Sequence, residues 1–406
     1  MIEVDPRLVV RPRGVRGDIE EAVRRLRAGE LGSLPVLIGL GIMAVVFQSL
    51  TPTFLSAGNL SDLTLQIVPT GLISVGIVLV LLLGEVDLSA GSVSGLAAAV
   101  MTVLSVKHGW NPGVAILTAI AIAAMIGVFQ GSVFAHLDVP SFVVTLAGLI
   151  GWQGALFYTL GGSGTINLPY QGAVARLANT YFDDVAVGYA IALAPVVLWT
   201  LATVRAERRR ARLDLPHRSP AEIAVRVAGL AAIASVVAYT LNLTRGVPLS
   251  LVIFIGFVVT IDFVLRRTRH GRMVFAIGGN AEAARRAGIP VTRVRVAVFM
   301  IASAMAAIGG VMQASRLFAV NQGSGGSDVL LNAIAAAVIG GTSLFGGRGG
   351  PWSAVLGMLV IGSITSGILL LNLKTDAQHM ITGAVLLIAV VIDSLARRGR
   401  RAGGRG

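Results

Sequence analysis

Two carboxylates two residues apart, Glu85 and Asp87, stand inside an apolar stretch running from Ile67 to Val106. At the centre of a membrane helix each would cost roughly 2.5–3.5 kcal/mol. Acids in such a place could relay protons, line a hydrophilic cavity at a broken helix, or simply belong to an ordinary turn between two helices. Their frame is Gly84-Glu85-Val86-Asp87-Leu88-Ser89-Ala90-Gly91, with a glycine at each end and Asp-Leu-Ser turn chemistry between. That chemistry suits a break in a helix, with Asp87 or Ser89 capping the next one. Gly340-Gly341-Thr342-Ser343-Leu344-Phe345-Gly346-Gly347 has the same shape 256 residues on, with glycines seven apart and a leucine four after the first. Like segments at a fixed offset suggest an internal repeat, common in transporters.

Other chemistries lack their parts. Gly161-Gly162-Ser163-Gly164-Thr165 resembles a phosphate cradle, but a Walker loop needs Gly-Lys-Ser/Thr. The lysines of this chain are Lys107 and Lys374, neither of them there. Gly39 to Ala44 fits a dinucleotide fingerprint in letters alone, inside an apolar run with no preceding strand. The five histidines are scattered and there are no cysteines, which excludes disulfides, thiolate metal sites and cysteine nucleophiles. No catalytic residue, metal site or cofactor is expected, and a membrane-embedded enzyme would lack any catalytic constellation.

The elements that must position these residues are membrane helices. The chain has 406 residues, 55% hydrophobic and 13% charged, with a mean hydropathy of +0.81; a soluble domain carries about 25% charged residues. A span needs about 20 apolar residues. Candidate windows lie at 31–50, 66–84, 91–106, 113–135, 141–160, 185–204, 222–241, 247–265, 296–313, 329–345, 352–371 and 378–395. The windows 91–106, 141–160 and 329–345 are short or broken by glycine, so ten to twelve crossings are expected in an all-α, polytopic helical membrane protein. The segment 161–184 is long enough to fold over the mouth of a pathway. Fifty glycines suit close helix packing in lipid, and the pairs Gly91/Gly95 and Gly127/Gly131 have packing spacing.

The net charge of +13 resembles a nucleic-acid footprint, yet its distribution argues against one. Seven arginines lie in residues 1–30, six in 205–218, eight in 266–295 and five in 397–406, together 26 of the 33 basic residues. Twelve crossings put all four clusters and both termini on one side, as the positive-inside rule requires. The charge sets topology and touches anionic lipid. No cleavable signal peptide is evident, because the first apolar run is longer than a typical h-region. Asp18 with Glu21 opens a short amphipathic helix carrying Ile19, Val23 and Leu26 on one face.

The basic loop 266–295 holds a second pattern. Asn280 stands as an N-cap before Glu282-Ala283-Ala284-Arg285-Arg286-Ala287, Gly288 sits where a left-handed C-cap belongs, and Pro290 forbids continuation. A helix this short cannot stabilise itself in water. It must dock, and its place on a cytoplasmic loop offers it to a soluble partner.

Here the residues support a family resemblance. Gly278 to Ile289 resembles the coupling loop of bacterial ABC importer permeases, with the E-A-A-x-x-x-G pattern intact. Gly84 to Gly91 resembles the signature of the ribose/xylose/galactose branch. Pro140-Ser141-Phe142-Val143-Val144-Thr145-Leu146-Ala147-Gly148 and Val338 to Leu344 resemble two further hallmarks. Arg205 to Arg218, with an apolar window on either side, and Arg245-Gly246-Val247-Pro248 resemble the insert of the xylose-type subunit.

The resemblance implies an ABC importer permease fold with possible broken helices, spanning 31–397, flanked by a cytoplasmic arm at 1–30 and a basic tail at 398–406. It implies ATPase coupling through Asn280, Glu282, Ala283, Ala284, Arg285 and Gly288. Substrate-pathway candidates are Glu85, Asp87, Ser89, Phe142, Thr145, Asn332, Thr342 and Ser343. Expected partners are two ABC ATPase subunits, an extracytoplasmic sugar-binding protein and a second copy of the chain, in the bacterial inner membrane. The implied substrate is a monosaccharide, D-xylose first. The alternative is a sugar transporter coupled to protons or sodium through Glu85 and Asp87, which leaves the capped helix without a purpose.

Overall fold

The computed structural model describes residues 34–213, 215, 217–374, 376, 380–385, 387, 388 and 391. The amphipathic pattern at 18–26 and the basic tail lie outside the described residues, as does part of the last window. The chain divides into two compact units, one of them containing residues 182–247.

The larger unit is built mainly of helices. Its elements are α1 (Leu34–Leu50), α2 (Ala57–Leu82), α3 (Ala90–Thr102, continued by a π turn over Val103–Lys107), α4 (Pro112–Leu137), α5 (Ser141–Leu160) and the short α6 (Ala173–Asn179). Around these in sequence, the chain leaves for 182–247, which carries α7 (Val185–Arg212) and α8 (Pro220–Asn242), and returns. There follow α9 (Leu249–Arg267), α10 (Arg269–Gly279), α11 (Ala281–Arg286), α12 (Val291–Leu317), α13 (Ser327–Ile339) and α14 (Trp352–Leu370). Nine helices among the described residues are long and apolar enough to cross a membrane, and α1 and α13 are shorter apolar helices. Each of the first eleven sequence windows therefore falls on one helix. The window at 141–160 is a single unbroken helix, while that at 329–345 ends early at Ile339 and turns.

Helix ends follow local chemistry. Ser56 accepts a hydrogen bond from the Asn59 N–H at the start of α2 (3.3 Å), and Asn111 with Pro112 opens α4. In the smaller unit Asp184 caps α7 and Ser219 caps α8. At about 1.5 Å per residue, the 28 residues of α7 outrun a hydrocarbon core of about 30 Å. Its arginine-bearing end therefore reaches into water. There Glu222 pairs with Arg226 at 3.1 Å and Arg218 at 3.6 Å, and Glu207 accepts the Arg218 N–H at 3.1 Å, which pins the turn.

In the larger unit α12 is the central post, packed against α4, α2, α3 and α6. Small residues permit the approach: a Cβ on Gly76 would come within 2.8 Å of the Ala302 carbonyl, and one on Gly127 would overlap that of Phe299. The α2 span is 83% buried and the α5 span 17%, so α2 belongs to the core and α5 leaves most of its surface uncovered by the rest of this chain. The segment 161–184 contributes a short strand, β1 (Thr165–Asn167), paired antiparallel with β2 (Ala319–Asn321) in the register Ile166 to Val320. Ser315 of α12 holds α6 beside it, its hydroxyl accepting the Ala178 N–H at 2.9 Å.

Filling the α4–α12 contact is expected to break it. Gly127→Val should reduce folded, detergent-extractable protein, since overpacking of this kind costs about 1–3 kcal/mol. Gly154→Val, at a helical position with open space around it, should leave the yield unchanged. Gel filtration of both variants checks this; equal yields would remove the packing argument.

Candidate functional site

Thr268 caps α10, accepting the Gly271 N–H at 3.2 Å. Asn280 then joins α10 to α11 from both sides. Its N–H donates to the Ala276 carbonyl at 3.1 Å, and its Oδ1 accepts the Ala283 N–H at 2.9 Å. At the far end Gly288 has φ +79°, its N–H donates to the Arg285 carbonyl at 3.0 Å, and the Ile289 N–H donates to that of Ala284 at 3.1 Å. This pair of bonds is a Schellman closure, which needs the left-handed residue that glycine supplies. Ala284 is buried beneath the helix, whereas Glu282, Ala283, Arg285 and Arg286 are exposed. Glu282 pairs along the helix with Arg286 at 3.2 Å and Arg285 at 3.5 Å. Such exposed pairs contribute only a few tenths of a kcal/mol. The helix is thus held by its caps and by Ala284, with a polar face turned outward.

The stretch between α2 and α3 is not helical, and its polar groups are met by three other helices, α4, α5 and α12. Gly84 turns the chain at φ +79°. Glu85 Oε1 lies 2.9 Å from Arg295 Nη2 on α12, and that guanidinium sits 5.6 Å from the centre of the Phe134 ring. The Val86 N–H donates to Ser141 Oγ and its carbonyl accepts from Thr145 Oγ1, both at 3.3 Å and both on α5. Asp87 is 1% exposed; its Oδ1 accepts the Ser89 N–H at 2.8 Å and the Ser89 hydroxyl at 2.6 Å, and Ser89 Oγ lies 3.0 Å from Gln130 Oε1 on α4. Burial pushes the Asp87 carboxyl above the ordinary carboxylate range, against the lowering effect of its bonds from Ser89 and Ala90.

The second glycine-framed segment follows α13. Thr342 N–H donates to the Ala337 carbonyl and Ser343 N–H to that of Arg348, with Gly346 and Gly347 at φ +84° and +71°. The Gly347 N–H donates to the Leu82 carbonyl at 2.9 Å. The two segments matched in sequence are therefore both inter-helix turns, and they touch.

Among the pathway candidates, Glu85, Asp87, Ser89 and Thr145 come together, and Thr342 and Ser343 lie on the adjoining turn. Phe142 is 52% exposed on the first turn of α5, and Asn332 sits two turns before the end of α13. A cavity of about 10 Å³, room for roughly one water, lies deeper, lined by Thr70, Ser94, Gln313 and Ser324 among others. None of the candidates lines it. Gln130 and Arg295 complete the cluster and were not legible as partners, because their contacts span 41 and 210 residues of sequence.

A helical bundle with irregular backbone buried among its spans, and a capped helix exposed on its basic loop, has the build of a transport permease. The chain belongs to the family described as the permease component of the branched-chain amino acid transport system, whose model matches residues 59–390. It is 37% identical over 367 residues to the xylose transport system permease protein XylH of Escherichia coli K12, covering 89% of this chain and 92% of that protein. Over 373 residues it is 34% identical to XylH of Haemophilus influenzae, covering 91% and 98%. The L-arabinose ABC transporter permease protein AraH of Azospirillum brasilense is 29% identical over 401 residues, covering 98% and 95%. No solved structure matches.

The Asp87 contacts are those of a turn held by acceptance, not by charge. Asp87→Asn keeps an acceptor and should retain uptake and heat stability. Asp87→Ala leaves the buried Ser89 N–H without its acceptor and should lower stability by about 1–3 kcal/mol, read as a reduced melting temperature with a parallel loss of uptake. Equal behaviour of the two variants would contradict this account.

Proposed function

We propose that this chain is the membrane permease of an ABC importer that moves a pentose, D-xylose first, using ATP hydrolysed on a separate subunit. The observation that carries the reading is α11: a capped helix of six residues, docked through Ala284, offering Glu282, Ala283, Arg285 and Arg286 to solvent. Such a helix has no stability of its own to contribute, so its exposed face is best explained by a partner. An ATPase groove is that partner. The sugar-permease names of the relatives, two of them for xylose, support the substrate class.

In this reading residues 31–397 form the transport domain, and the four basic clusters and both termini face the cytoplasm. Two copies of the chain enclose a shared pathway, two ATPases bind on the basic side, and a sugar-binding protein delivers substrate on the other. ATP-driven closure moves α11, and the bundle rocks between outward and inward access. The ion-coupled reading has fewer supports. Glu85 is committed to Arg295 and Asp87 to Ser89, and α11 would have no task.

Gly288 tests the reading. A Cβ there meets open space, yet φ is +79°, a conformation that costs an ordinary residue about 1–2 kcal/mol and a β-branched one more. Gly288→Val should displace the helix, abolish uptake and weaken co-purification of the ATPase, while the bundle inserts normally. Undiminished ATPase binding with normal uptake would mean that α11 is not the coupling element. For the sugar, the purified importer in vesicles should hydrolyse ATP faster with xylose-loaded binding protein than with arabinose- or ribose-loaded protein. The reverse order would overturn xylose and leave the importer reading standing.

A further inference from the structure

We propose that Gly278 is the bearing through which movement of the coupling helix reaches both glycine-framed turns. The proposal rests on the importer reading and goes beyond it, since it names the contact that carries the movement.

Gly278 precedes the Asn280 cap by two residues, in the last turn of α10. A Cβ on it would overlap the Leu82 carbonyl oxygen and lie 2.6 Å from the Gly347 nitrogen. That same carbonyl accepts the Gly347 N–H at 2.9 Å. Gly346 closes the junction from the other side, its missing Cβ lying 2.6 Å from the Gly278 carbonyl oxygen and 2.9 Å from the Gly84 nitrogen. Three chain segments distant in sequence thus meet main chain to main chain. Side chains can change rotamer and absorb a small displacement; packed backbone has no such freedom and passes it on.

The far end of the coupling loop has its own tie to the same place. Arg295, in the first turns of α12, holds Glu85 at 2.9 Å. A push on α11 therefore arrives at residues 82–85 from both sides of the loop, through Gly278 before the helix and Arg295 after it. From there one route runs along Val86 to Ser141 and Thr145 of α5, and through Ser89 to Gln130 of α4. The other runs through Gly346 and Gly347 to the turn before α14. Ordinary helix packing would explain close glycines on facing helices; it does not explain why the second turn and the foot of the coupling helix meet at one carbonyl, with the first turn packed beside them at Gly84.

The neighbouring residue supplies the control. Gly279 has nothing within 4 Å of its Cβ position. Alanine is about 1 kcal/mol better than glycine inside a helix, so propensity favours the change at both sites and only the contact separates them. Gly278→Ala and Gly279→Ala are compared in the full importer for membrane abundance, ATPase co-purification, ATP hydrolysis with and without sugar-loaded binding protein, and uptake. With every value normalised to the assembled importer, Gly278→Ala should lower stimulated hydrolysis and uptake by about tenfold or more, beyond any loss of abundance that the overlap with Leu82 causes. Gly279→Ala should match wild type throughout. Normal stimulation and uptake in Gly278→Ala, or losses only in proportion to abundance or ATPase binding, would overturn the proposal.

A second measurement needs no variant. Hydrogen exchange on the wild-type importer, with and without trapped ATP, should change together in peptides covering 276–290, 82–87 and 344–349. A change confined to 276–290 would overturn the proposal even if Gly278→Ala fails to fold. Absence of any ATPase on the wild-type chain would overturn the importer reading, and the bearing with it.

Discussion

Backbone that leaves the helix between membrane spans must find its hydrogen bonds inside the protein. The architecture at the basic end of this bundle follows from that constraint. Between α2 and α3 the chain leaves the helix over residues 85–89. Its groups are taken up by Ser141 and Thr145, by the Asp87–Ser89 turn, and by Gly347 at the Leu82 carbonyl. The outside partners lie on α5, on the turn before α14 and, through Glu85 and Arg295, on α12, so this short stretch and the end of α2 tie three other parts of the unit together. A motif that could have been a ligand site is first a joint.

The joint explains why α11 can be so small and still be held in place. Six residues carry little energy, but α11 is framed by Asn280 and Gly288 and continuous with α10 and α12, each of which contacts the joint. Rigidity in the foot replaces area in the helix. Charge plays a lesser part: the exposed pairs of Glu282 are weak, whereas the half-buried Glu85–Arg295 pair ties the end of α2 to α12.

Much of this was legible in the sequence, for physical reasons that differ by level. Spans follow from apolar length, so eleven of the windows meet one helix each, and capping is local, so Asn280 and Gly288 play the parts their positions imply. The likeness of the segments at 84–91 and 340–347 foretold two similar turns. It did not foretell their contact, which depends on how α2, α10 and α13 end at one level. Glu85 and Asp87 stood out because charge is costly in an apolar run; Gln130 did not, since one glutamine between two packing glycines carries no periodic signal. Phe142 lies between Ser141 and Thr145 in its motif, yet its side chain is 52% exposed, because a run of letters does not say which side of a helix each residue occupies.

The central claim is that α11 docks on an ATPase. A photo-crosslinking amino acid at exposed Ala283, in the importer co-expressed with its ABC ATPase, tests it most directly. The account predicts a covalent adduct between this chain and the ATPase, absent when the same probe replaces Ile150, midway along α5 and 67% exposed. No ATPase adduct from position 283, in complexes that still transport sugar, would contradict it.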